Sequence, residues 1–186
     1  MTRGILSLLA VACLLPTGCS HGGRVGGLGF LPGSGPAGPP VASFQGYGPI
    51  KIGMTEAQAS AAVTVPVTRN HYYNCTVLTG EMPGGGDWRH LAIWIEDASG
   101  RVTGIDLPAG AKTDRGVGDG SSIAEIRAAY QADSTISNTT SQGGDSLRVD
   151  PNDSGDGSFL GFYLEGDTVR SVSVGRISGW EGCGTY

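Results

Sequence analysis

Gly53-Met54-Thr55-Glu56-Ala57-Gln58 and Gly120-Ser121-Ser122-Ile123-Ala124-Glu125 are the two stretches that organise this chain, and they line up at a spacing of 67 residues. In each, a hydroxyl residue (Thr55, Ser122) stands three places ahead of a Gln or Glu. This is the capping-box pattern: the hydroxyl accepts from a first-turn N–H while the longer side chain reaches back to the N–H of the cap. Each stretch therefore predicts a helix start. The helices are expected to run to about Val63 and Gln131, the first burying Ala57 and Ala61, the second Ile123, Ile126 and Tyr130. A Gly-led extended segment precedes each, Gly48-Pro49-Ile50 and Gly116-Val117-Gly118.

Alternating segments rich in β-branched and aromatic residues follow both helices, at 71–79, 89–96 and 101–107 in the first half and at 146–149, 159–165 and 168–174 in the second. Trp94-Ile95-Glu96 matches Tyr163-Leu164-Glu165 at a spacing of 69, and Val102 matches Val169 at 67, so the second hairpin turn is two residues shorter. Those turns are Asp97-Ala98-Ser99-Gly100 and Gly166-Asp167. The expected fold is α+β: two tandem α-β-β-β repeats, residues 47–112 and 113–186 with a C-terminal tail, their helices packed on one face of antiparallel sheet. One such unit buries too little surface to be secure alone, so the two are expected to share a body.

Ahead of the repeats, residues 19–46 read as a tether. From Ser20 to Gly46 nearly half the residues are Gly or Pro, too little apolar surface to offset the entropy of ordering the chain. Leu28, Phe30 and Leu31 interrupt it as a short apolar segment. Residues 1–18 have the layout of a secretory signal peptide: Arg3, an apolar run from Ile5 to Leu15, then Pro16-Thr17-Gly18 before Cys19. As a helix that run would rise about 16 Å against roughly 30 Å of hydrocarbon, so it does not span a bilayer.

The leader resembles that of bacterial lipoprotein precursors. The resemblance implies cleavage before Cys19, lipidation of that residue with acyl chains of the palmitate kind, and an anchor on the extracytoplasmic face of the cell membrane. Two or more chains hold a protein there stably. The chain departs from the family pattern at Pro16, where leucine is usual; its leucine is Leu15. Ordinary cleavage after Gly18, giving a soluble protein with a free Cys19, is the alternative. The Ile50-to-Gln58 helix start and the paired units also resemble actinobacterial surface lipoproteins with repeats similar in architecture to β-lactamase-inhibitor-protein-like domains, and assembly lipoproteins of the SmpA/OmlA type. Two Lys against ten Arg is similar to high-GC actinobacterial proteins. The first likeness implies a non-enzymatic protein-binding or inhibitor-like module, the second a structural or assembly factor of the cell envelope. No inhibitor contact residue can be transferred.

With Cys13 lost in the leader and Cys19 acylated, Cys75 and Cys183 remain. In an oxidising compartment they are expected to form a disulfide that pins the C-terminal tail to the first unit; two free buried thiols are the alternative. Twelve Lys and Arg against seventeen Asp and Glu, a net charge of −5, lack the footprint of a nucleic-acid partner. No nucleophile elbow, phosphate loop or dinucleotide fingerprint is present, so no catalytic residue, metal site or cofactor is assigned and an enzyme is not expected. His71 and His90 stand apart from any zinc-type run. Asp150 to Gly157 follows the early oxygen spacing of an EF-hand, but Gly161 occupies the twelfth position where a bidentate Glu is needed, so the stretch reads as a solvated hairpin loop. The residues expected to meet a protein partner are Tyr72, Trp88, Trp94 and Tyr163, since aromatic side chains make good interface anchors. Packing of most of these rings under their own helix is the alternative; strand alternation puts Ile93 and Ile95 opposite Trp94, so only one set faces the core.

Overall fold

The computed structural model describes residues 39–80, 90–141, 144–153, 155–176 and Cys183. Thr55 and Ser122 are both N-caps with reciprocal hydrogen bonds. Gln58 N–H donates to Thr55 Oγ1 at 3.3 Å and Thr55 N–H to Gln58 Oε1 at 2.9 Å. Glu125 N–H donates to Ser122 Oγ at 3.3 Å and Ser122 N–H to Glu125 Oε2 at 2.7 Å. The helices they open are α1 (Glu56–Ala62) and α2 (Ile123–Tyr130).

Strands make up most of the rest: β1 (Ala42–Ser43), β2 (Gly46–Tyr47), β3 (Ile50–Lys51), β4 (Val67–Tyr72), β5 (Cys75–Gly80), β6 (Leu91–Glu96), β7 (Arg101–Asp106), β8 (Ser134–Ser141), β9 (Gly144–Pro151), β10 (Ser158–Glu165) and β11 (Thr168–Arg176). The first three form a small antiparallel sheet, and the other eight form one antiparallel sheet in the order β4-β5-β6-β7-β11-β10-β9-β8.

This overturns the expected α+β fold of two α-β-β-β repeats. The described residues are mostly β, with two short helices, eleven strands and a single eight-stranded sheet in place of separate three-stranded ones. Two strands of the large sheet escaped the sequence reading, for different reasons. The run 71–79 is broken at Tyr73-Asn74 into β4 and β5 by a turn whose first residue, Tyr73, has φ +51, a conformation that a tyrosine rarely signals. Strand β8 has the sequence Ser-Thr-Ile-Ser-Asn-Thr-Thr-Ser, with no apolar alternation to betray it. What recurs at the 67-residue spacing is a set of backbone bonds. Gly53 N–H donates to Val102 O and Val102 N–H to Met54 O; Gly120 N–H donates to Val169 O and Val169 N–H to Ser121 O, all at 2.8 Å.

The body also reaches into the stretch read as tether. Ala42 is fully buried, its N–H donates to Lys112 O at 2.9 Å, and the Phe44 ring meets Tyr130 edge-on at 5.9 Å between centroids.

Register explains where the core lies. Leu78, Ile93, Ile105, Val174, Leu160, Val149 and Ile136 are successive cross-strand partners from β5 to β8. Helices α1 and α2 and the small sheet cover this apolar row, with Ile126, Tyr130 and Phe162 fully buried among them. Each fully buried side chain of this size contributes about 1.5 to 3 kcal/mol. Helix α1 buries Ala59 and leaves Ala57 and Ala61 exposed, against expectation. Alanines steer a short helix weakly, and its direction is set by its cap and by Glu56 Oε1, which accepts from Arg69 Nε on β4 at 2.7 Å.

Candidate ligand-binding face

Side chains alternate across a sheet, so the row beside the apolar one points the other way. That row runs Thr79, Ala92, Asp106, Ser173, Gly161 and Arg148. The next runs Asn70, Val77, Trp94, Gly104, Gly175 and Phe159. Small residues thus line the middle of the face opposite the helices, and larger rings stand around it. Gly161 leaves room there for Ser173: a Cβ at that position would come within 2.6 Å of Ser173 Oγ.

Trp94 and Tyr163 are half-buried on this face, while Tyr72 is 52 % exposed and leans on Trp94 with ring centroids 6.3 Å apart. The sheet therefore brings together three of the four aromatic residues expected to meet a partner. Trp88, the fourth, lies outside the described residues, as do Cys19, the signal peptide and the apolar segment Leu28 to Leu31. Cys75 and Cys183 are disulfide-bonded, both buried, with Thr103 Oγ1 3.6 Å from Cys183 Sγ.

The sequence reading passed over the group at the centre of the face. Asp106 closes β7, and its Oδ2 accepts the indole N–H of Trp94 at 2.7 Å. Beside it a cleft of about 470 Å³ is lined by Asp106, Tyr163, Glu165, Arg170 and Ser171. Arg170 Nε pairs with Glu165 Oε2 at 2.6 Å across the β10–β11 hairpin. Among the described residues no ion pair involves Asp106. Burial pushes its carboxyl up to about 6, and the indole bond opposes only part of that shift. Tyr163 is raised too, first by burial and then by the Asp106 charge. A carboxyl made costly by desolvation, lodged in a cleft, is the kind of group that marks a binding or reactive site. Only the register reveals it: Asp106 is two residues from Gly104, which pairs with Trp94.

Other clusters have simpler accounts. His71 Nε2 lies 2.7 Å from Asp97 Oδ2, and Thr76 Oγ1 donates to Asp97 Oδ1 at 3.2 Å. The bond to His71, above all, holds Asp97 below the usual carboxylate range. With Arg69 and Glu56 these form a chain of surface pairs on the helix side, and neither His71 nor His90 lines the cleft. In the acidic loop, Asp150 pairs with Arg148 at 2.7 Å and Asp156 accepts from Ser158 N–H and Oγ at 3.1 and 2.8 Å. Those carboxylates are turned onto their own hairpin. Among the described residues no group of three or more His, Cys, Asp or Glu is arranged to hold a metal.

No family model matches this chain, and neither does any curated protein or solved structure.

Proposed function

We propose that this protein is an extracytoplasmic lipoprotein, held on the outer face of the cell membrane through Cys19, whose sheet face opposite the helices binds a protein partner without catalysing a reaction on it. The observation that supports the binding role most directly is the aromatic cluster: Tyr72, over half exposed, rests against Trp94 on the face that the helices leave uncovered. Exposed aromatic rings beside a polar cleft supply the apolar anchor and the polar specificity of an interface in one place. The main apolar core lies on the opposite face, and of these rings Tyr72 is the most exposed.

The test is crosslinking in intact cells of the source organism with the full chain, tagged at its C-terminus, followed by comparison of wild type with Tyr72→Ala. A discrete crosslinked partner that is lost in the variant, with thermal unfolding unchanged, supports the proposal. Equal crosslinking patterns would remove it. The anchor is tested separately by metabolic labelling with palmitate, which Cys19→Ser is expected to abolish.

A further inference from the structure

We propose that the cleft beside Asp106 receives the ε-ammonium group of a lysine side chain presented by the protein partner; this rests on the reading that the sheet face is a protein-binding surface. Asp106 lines the cleft, and its Oδ2 is engaged by the Trp94 indole. Tyr163 borders the cleft and the Trp94 indole bonds the carboxyl, so a cation entering there meets a negative charge beside an aromatic ring. Arg170, the cation already present at the rim, is paired with Glu165. Leu107 and Leu164 also line the cleft, an apolar wall against which the methylene stem of a lysine can lie.

Charge and geometry together select the ligand. A partly desolvated carboxylate with no cation partner among the described residues gains from an incoming positive charge. One oxygen already holding the indole suits a compact point donor better than the two-pronged guanidinium, whose advantage lies in bidentate pairing with both oxygens. Desolvation of the carboxyl, visible in its raised pKa of about 6, is the cost that an ammonium partner would offset.

The experiment uses the full chain in lipid nanodiscs with tryptophan labelled by nitrogen-15 at the indole, the Trp94 signal being assigned through Trp94→Phe. Nα-acetyl-lysine methylamide is titrated in, beside its norleucine and arginine counterparts. The expected result is a saturable shift of the Trp94 indole N–H with the lysine probe, none with norleucine, weaker binding of arginine, and affinity reduced about tenfold or more in Asp106→Asn. No shift with lysine, an equal response in Asp106→Asn, or arginine binding as tightly as lysine would each overturn the inference. The two readings fail separately. A crosslinked partner that depends on Tyr72 but is indifferent to Asp106→Asn sinks the ammonium site alone, whereas lysine binding with no partner sinks the protein-binding role.

Discussion

Replacing Asp106 by Asn separates the cost of this carboxyl from every other titration in the protein. Its pKa in the folded protein is about 6 against an ordinary value of 3.8, so the native state holds the proton more tightly than the unfolded chain does. Stability from this group is therefore fully present below about pH 4 and is lost as pH rises through 6. The shift of about two pKa units, at about 1.36 kcal/mol each, amounts to about 3 kcal/mol by pH 7. Asparagine keeps an acceptor for the Trp94 indole and carries no charge, so Asp106→Asn lacks this window. Urea unfolding of both proteins from pH 4 to pH 8 reads the difference directly. Near pH 4 the two should be equally stable, and at pH 7 the variant should be the more stable by up to about 3 kcal/mol. Asp97, Asp133 and Asp156, whose carboxyls are shifted the opposite way, act alike in both proteins and cancel. A difference that stays flat across the range, or a variant that is weaker at pH 7, would show that Asp106 is not a desolvated, unpaired acid.

Three further outcomes follow from the geometry. Cys75 and Cys183 are 108 residues apart, so Cys75→Ser with Cys183→Ser should lower stability by about 4 to 5 kcal/mol in the chain-entropy model, read by denaturant unfolding without reductant. Gly161→Ala should destabilise by about 1 to 3 kcal/mol because its Cβ meets Ser173 Oγ at 2.6 Å, and adding Ser173→Ala should restore part of the loss. Thr55→Ala and Ser122→Ala should each cost about 1 kcal/mol and, being in separate helices, should add in the double variant.

Features with strong local chemistry were legible in the sequence. The two capping boxes place α1 and α2 within a residue, and the Gly100 and Gly166 turns close their hairpins as read, both glycines having φ near +60. Strand β8 was hidden because an edge strand with only Ile136 facing the core need not alternate, and β4 because five of its six residues are exposed. Both outermost strands are polar, as suits edges that must not recruit other chains, and that same polarity erases the pattern by which strands are found. The aromatic part of the candidate face was legible from the opposition of Trp94 to Ile93 and Ile95. Its acidic centre was not, since a single Asp at a strand end looks like the start of a turn until the register sets it beside Trp94.

The seam where the two four-stranded halves meet is narrow. Strands β7 and β11 share three residue pairs, Asp106 with Ser173, Ile105 with Val174 and Gly104 with Gly175, and Asp106 sits on the first of them. A ligand held by that carboxyl would act as a rivet across the joint, while the Cys75–Cys183 bond laces the chain beyond β11 back onto β5. An occupant of the cleft and the bond between two cysteines far apart in sequence would thereby brace the same seam.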